Sequence, residues 1–362
     1  GTEFRTSEGF ILFGAIRDAA PDAWGRQVLD RAAQGMPLGE FEYLTACGTD
    51  RIGALGFGAD LKGPRRSTLF GEDDAPIGQD LDLEAMMQAA AQVESEAELE
   101  PRFRAFIVRG SSLGGARPKG VTRWRGRPSI AKFSRTDDRG SVCRWEHATM
   151  LLARQCGIHT PAVDRVSVAG RDVYLIERFD RGADEARRHF ISALTLLGAH
   201  ESESTRKSYA DIAAALRQYG ADFTADAREL FRRMVFNILC NNTDDHLRNH
   251  GFLWEGGGWR LSPAYDLVPH PQQGLTRMLA LGVGADGREA SLRNALSRCA
   301  AFGLHEDEAK AIVRDMAGRC RGWEAHYRSS GVPATDLPRL ATCFIAAQGS
   351  DICADKEAQK SD

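Results

Sequence analysis

The stretch Asn237-Ile238-Leu239-Cys240-Asn241-Asn242-Thr243-Asp244-Asp245-His246-Leu247-Arg248-Asn249-His250-Gly251-Phe252 ends an apolar run and opens a polar cluster. Leu230, Phe231, Met234, Val235, Ile238 and Leu239 recur at helical spacing, which predicts one buried helix face stopping at this cluster. Positions 241 to 250 hold three Asn, two Asp and two His, more polar groups than a simple turn needs. Asp244 and Asn249 stand five residues apart. A hairpin pattern follows, Phe252-Leu253-Trp254, a turn at Gly256-Gly257-Gly258, then Trp259-Arg260-Leu261, leading through Tyr265 to Asp266. A hairpin that returns a second carboxylate toward the first cluster suits Mg²⁺ bridging nucleotide phosphates, because that ion takes hard oxygen ligands. Two other readings stay open: an Asn/Asp-rich turn with helix caps, or a hydrolytic metal site of Asp244, Asp245, His246 and His250. Against the hydrolytic reading, His246 is a loop-packing residue that braces Asp244.

Upstream, Arg109-Gly110-Ser111-Ser112-Leu113-Gly114-Gly115-Ala116-Arg117-Pro118-Lys119-Gly120 puts four glycines beside basic side chains. Such a loop lets backbone N–H groups approach phosphates, or it is a hairpin turn; it fits neither the Walker nor the Gly-x-Gly-x-x-Gly pattern. Next, Val121-Thr122-Arg123-Trp124 and Ser129-Ile130-Ala131-Lys132-Phe133 alternate around a turn at 125–128, a hairpin with Lys132 and Ile130 on one face. An inward lysine needs an anion, either a phosphate or a carboxylate on the following helix; an outward one needs none. That helix is predicted from an N-cap at Ser141 to Gly157, with Glu146 in its first turns. A Gly-rich loop, a strand lysine and a helix glutamate in this order match the phosphate-handling half of a kinase lobe, and Asp244-x-x-x-x-Asn249 matches the spacing of a kinase catalytic loop. Asp172–Arg181 reads as an apolar strand running into polar residues, an extended linker whose backbone can meet an adenine edge and whose Asp180 can accept from a ribose hydroxyl.

The whole chain frames these motifs. Its 362 residues can bury a large core, and 47 basic against 50 acidic residues give a net charge of −3, which argues against a protein that holds polyanions over its whole surface. Eight cysteines without a Cys-x-x-Cys pair read as reduced thiols rather than a disulfide framework. No run approaches the ~20 apolar residues of a membrane span, and Gly1-Thr2-Glu3-Phe4 reads as a linker, so residues preceding it in the natural protein are expected to be missing. The pattern divides into a small leading α+β subdomain (1–98), a β-rich lobe with the Gly-rich loop (99–181) and a helical lobe with the polar cluster (182–362). The expected class is α+β.

Together, Ser112-Leu113-Gly114-Gly115-Ala116-Arg117-Pro118-Lys119, Ala131-Lys132-Phe133, Glu177-Arg178-Phe179-Asp180-Arg181, Asp244-x-His246-x-Arg248-Asn249 and Tyr265-Asp266 resemble the HipA family of bacterial serine/threonine kinases. Asp18-Ala19-Ala20-Pro21-Asp22-Ala23-Trp24-Gly25-Arg26 and Asp50-Arg51-Ile52-Gly53-Ala54-Leu55-Gly56-Phe57 are similar to its N-terminal region. The resemblance implies a protein-kinase-like bilobal fold with an all-α second lobe and an additional N-terminal subdomain, and ATP and Mg²⁺ as cofactors. Asp244 would orient or deprotonate the acceptor hydroxyl, supported by His246; Asn249 and Asp266 would hold Mg²⁺; and Lys132, steadied by Glu146, would contact the phosphates. Ser112, Leu113, Gly114, Gly115 and Ala116 would line the nucleotide, the Glu177 and Phe179 backbones would hold adenine, Asp180 would lie near the ribose, and Tyr265 would support Asp266.

The resemblance further implies autophosphorylation at Ser112, with Ser111 directly before it as the alternative site, which would expel the loop, because a phosphorylated side chain cannot stay where phosphates are cradled. It implies a cytoplasmic toxin that phosphorylates an aminoacyl-tRNA synthetase, halts growth, and is neutralised by a HipB-like helix-turn-helix antitoxin, with DNA met mainly through that partner. Two alternatives accompany it: a catalytically weak nucleotide-binding corepressor of the antitoxin, and a small-molecule kinase, since phosphoryl-transfer machinery does not report its acceptor.

Overall fold

Alternation along Arg127–Phe133 builds the strand that carries Lys132. In this computed structural model the described residues are 3–6, 9–46, 50–58, 82–95, 115, 117–182, 184, 186–272, 274 and 276–349. They group into two units, one from 1–147, 161–200 and 251–256, the other from 148–160, 201–250 and 257–362.

The first unit opens with helices α1 (Gly14–Ala19), α2 (Ala23–Ala32), α3 (Glu40–Ala46) and α4 (Leu83–Glu94). Asp22 and Asp82 cap α2 and α4 by accepting from Gly25 N–H and Glu84 N–H. Strands β1 (Lys119–Trp124), β2 (Arg127–Phe133), β3 (Val163–Val168) and β4 (Arg171–Glu177) form an antiparallel sheet in the order β1-β2-β4-β3. Arg125 and Gly126, at φ 52° and 75°, make the two-residue turn between β1 and β2, and both left-handed residues match the twist of the hairpin. Ala131 and Phe133 on one face of β2, with Val173 and Leu175 of β4, pack on Trp24, Val28, Met86 and Val93 of α2 and α4. Burying this apolar face is what holds the leading helices to the sheet. Ile130 and Lys132 take the opposite face, as period-2 alternation demands. Helix α5 (Val142–Gln155) begins after Ser141 and ends at Gly157, whose φ of 78° closes it as expected. Strand β5 (Phe190–Ser192) pairs antiparallel with β6 (Gly251–Trp254), Ile191 opposite Phe252.

The second unit is dominated by helices α7 (Tyr209–Tyr219) and α8 (Phe223–Cys240), the short α6 (Ala193–Leu196) belonging to the first. Leu230, Phe231, Met234, Val235, Ile238 and Leu239 are all buried, so the predicted face of α8 is the observed one. Ser208 and Asp211 exchange bonds in a capping box that starts α7. Strand β7 (Trp259–Leu261) and helices α9 (Leu292–Leu296), α10 (Glu306–Cys320) and α11 (Trp323–Ser329) follow. The described cysteines are buried free thiols, Cys156 and Cys320 lying 3.7 Å apart. Among the described residues no helix is long and apolar enough to cross a membrane.

Candidate functional site

In the first unit the strand lysine finds the second of its two expected anions. Lys132 Nζ lies 2.6 Å from Glu146 Oε1, with side-chain exposures of 12% and 3%. The register explains the meeting: Lys132 sits on β2 between Lys119 and Tyr174, and its ammonium lies 5.8 Å from the Tyr174 ring. Cys143, one turn before Glu146, reaches the Lys132 carbonyl with its Sγ at 3.6 Å and fixes the start of α5 against β2. Taking two charges from water is costly unless their geometry is good, and a short, direct contact meets that condition.

Of the Gly-rich loop, Ser112, Leu113, Gly114 and Ala116 lie outside the described residues, as does Ser111. Gly115 stands at φ 105°, a backbone conformation that favours glycine. Arg117 forms an ion pair with Asp138.

The hinge segment departs from expectation at Asp180. Its carboxylate is 1% exposed and wholly engaged: it receives Arg178 Nε and Nη2 at 3.0 and 2.8 Å, Arg181 Nη1 at 2.6 Å and Gly53 N–H at 2.7 Å. Burial alone would raise its pKa, but the guanidiniums of Arg178 and Arg181 overrule burial and hold it below the usual carboxylate range. Asp180 is therefore no ribose acceptor but the anchor of segment 50–53, whose Asp50 and Arg51 carbonyls also accept from Arg178. Glu177 N–H is donated to the Ala162 carbonyl at 2.8 Å, which leaves only its carbonyl for a hinge role, and the Phe179 ring packs on Phe190.

In the second unit α8 ends at Asn241, φ 52°, a left-handed cap whose amide donates to the His270 carbonyl. The chain then runs without helix or strand to a 3₁₀ turn at Leu247–Asn249. Asn249 Nδ2 donates to the Asp244 carbonyl at 2.7 Å, closing the five-residue loop upon itself. The Asp244 side chain is 65% exposed, with His246 Nε2 at 3.8 Å from its Oδ1. Tyr265 donates its hydroxyl to the Arg248 carbonyl at 2.7 Å, and the next residue, Asp266, adopts φ 60°. Asn249 and Asp266 line one small pocket together with Asn242, Asp245 and His250. The Asn242 Oδ1 there is buried without a hydrogen-bond partner, and Asn249, whose nitrogen is spent on Asp244, has its side-chain oxygen left to offer. A carboxylate and amide oxygens fit Mg²⁺, which would bring the charge that neutralises developing phosphate negativity.

Of the rival hydrolytic metal set, Asp245 and His250 border that pocket while the Asp244 side chain is exposed. Asp245 turns inward, opposite to Asp244, and burial pushes the imidazole of the enclosed His250 down to about 3. Among the described residues no three His, Cys, Asp or Glu gather to hold a metal ion.

Sequence reading missed the layer beneath the loop. Asp245 accepts from Tyr209 and Ala280, and Asn237 links Tyr209 to Asn242. The crowding of Asn and Asp was the only signal, and it could not name Tyr209, 36 positions away.

A family model described as the HipA-like C-terminal domain matches residues 111–323, more than half of the chain. A Haemophilus influenzae protein named "Putative kinase" is 32% identical over 154 residues, 38% of this chain and 44% of that protein. The serine/threonine-protein kinase toxin HipA of Shewanella oneidensis is 27% identical over 143 residues, 34% of this chain and 33% of the toxin. The chain thus spans less than half the length of these relatives. Among solved structures, Shewanella oneidensis HipA in complex with HipB and operator DNA superposes with a TM-score of 0.55 at 20% identity, covering 65% of this chain and 63% of that one. At that identity the likeness establishes the fold alone, the kinase-like α+β arrangement.

Proposed function

The chain belongs to the family of the HipA-like C-terminal domain, and from that premise we propose that it is an ATP- and Mg²⁺-dependent serine/threonine protein kinase. The observation that carries the reading is the buried Lys132–Glu146 pair at 2.6 Å, a strand lysine oriented by a helix carboxylate, the pairing that kinases need in place before phosphates can be aligned. Lys132 would contact the phosphates, and residues 112–116 would cradle them. The Glu177 carbonyl and Phe179 backbone would meet adenine. Asn249 and Asp266 would hold Mg²⁺, with Tyr265 fixing the approach of Asp266. Asp244 would take the proton of the acceptor hydroxyl as that oxygen bonds to the γ-phosphorus of ATP and the bond from this phosphorus to the β,γ-bridging oxygen breaks, with ADP leaving; the exposure of the Asp244 carboxylate and the proximity of His246 support that role.

The acceptor class we favour is an aminoacyl-tRNA synthetase, with Ser112 as the self-modified residue and a HipB-like antitoxin as partner. The support for the partner is that the superposed Shewanella protein was solved bound to HipB and operator DNA; DNA would be met mainly through that partner, in the cytoplasm. The test is brief induction in bacteria followed by phosphoproteomics, wild type beside Asp244→Ala. The reading expects growth arrest and a synthetase phosphosite in the wild type alone. Equal phosphoproteomes and equal growth would overturn it and leave a catalytically weak corepressor as the better description.

A further inference from the structure

Asp244 and Asp245 are adjacent and oppositely placed. The first side chain is 65% exposed and the second residue is 1% exposed. The two residues are consecutive in a stretch with neither helix nor strand, one exposed and the other buried, so whatever fixes Asp245 inward also constrains the backbone that directs Asp244 outward. Asp245 is fixed by both oxygens: Oδ2 accepts the Tyr209 hydroxyl at 2.7 Å and Oδ1 accepts Ala280 N–H at 2.6 Å. The Tyr209 oxygen accepts from Asn237 Nδ2 at 2.8 Å, and Asn237 Oδ1 accepts from Asn242 Nδ2 at 3.1 Å. The chain of bonds therefore grips the loop at Asn242 and at Asp245, on either side of Asp244, and ties it to α7 and α8. Tyr209, Asn237 and Asn242 are all buried. A buried carboxylate is a poor way to gain stability, since an apolar residue of similar volume often does as well; it earns its place when it specifies a geometry.

We propose that Asp245, acting through Tyr209 and Asn237, is a positioning residue that sets the direction of the Asp244 carboxylate during phosphoryl transfer. The proposal rests on the reading of Asp244 as the catalytic aspartate. Asp245 borders the pocket of Asn249 and Asp266, but both of its oxygens bond within the protein; its effect falls on the transfer step, where a small misplacement of a reacting group costs about 10- to 100-fold in rate.

The test measures turnover of ATP with Mg²⁺ by the full chain, onto protein or water, as a function of ATP concentration, for the wild type, Asp244→Ala, Tyr209→Phe, Asp245→Asn and Asp245→Ala. Tyr209→Phe keeps the ring in place, so it serves even if an Asp245 variant fails to fold. The expected result is a fall of about 10-fold or more in maximal rate for Tyr209→Phe, with half-saturating ATP little changed, and partial rescue by Asp245→Asn relative to Asp245→Ala. Loss of ATP affinity in parallel with rate, or an unchanged maximal rate in Tyr209→Phe while Asp244→Ala is dead, overturns the positioning role and leaves the kinase reading intact. Turnover that survives in Asp244→Ala overturns the kinase reading and this proposal with it.

Discussion

At the scale of single residues, two buried carboxylates carry most of the argument. Replacing Glu146 with Ala removes the carboxylate that Lys132 meets at 2.6 Å inside the first unit, and we expect a loss of about 3 kcal/mol in unfolding free energy by denaturant titration. The double substitution with Lys132→Met should restore part of that loss, because no buried charge then remains to compensate; a cost below about 1 kcal/mol for Glu146→Ala alone would mean the pair is loosely held. Asp245 gives a pH signature. Burial pushes its carboxyl up to about 6, above the unfolded value, so its contribution to stability is complete at low pH and is lost as pH rises through about 6. For this group alone the wild type should lose up to about 3 kcal/mol between pH 4 and pH 7, and Asp245→Asn should lack that part of the slope. Unfolding curves for the two proteins over that range measure it, and parallel slopes would contradict the assignment. The meeting of Lys132 with a carboxylate of the following helix was legible in the sequence, because strand alternation and the order of strand and helix are local patterns. Asp180 departs from expectation because the nearby Arg178 and Arg181 turn inward onto it to hold segment 50–53, and no local pattern announces a bond to Gly53, 127 positions away.

At the scale of elements, the strand–turn–strand of β1 and β2, helix α5 from Ser141 to Gly157, and the apolar face of α8 all follow from alternation, capping residues and helical spacing. What spacing cannot supply is how an element is stopped in three dimensions. Helix α8 hands over to the loop through Asn241 in the left-handed region, with its side-chain amide bonded to His270 and its carbonyl receiving His270 N–H at 3.0 Å. Asn241→Ala should cost about 1–2 kcal/mol from the backbone alone, with more from the lost amide bond. Asn241→Gly relieves the backbone strain and loses only the side-chain bond, so it should be the milder of the two by thermal unfolding. The reverse order would show that the cap is held by contacts other than those at His270.

At the scale of the whole molecule, a near-neutral net charge with cations spent in local pairs agrees with a protein that gathers charge at one chemistry rather than over its surface. The leading helices were legible as a separate piece of sequence, yet their α2 and α4 share a core with the sheet, because neither the helices nor that sheet face can bury its apolar side alone. Family membership rests on residues 111–323, which hold every residue given a catalytic or metal-binding role here. The central claim is transfer of the terminal phosphate of ATP, and its most direct test is incubation of the purified chain with γ-labelled ATP. The account predicts label on serine of the chain, Ser112 first, that requires Mg²⁺, disappears on chelation, and is absent in Asp244→Ala. Label that persists in Asp244→Ala, or a wild type that takes up none and consumes no ATP, would contradict it.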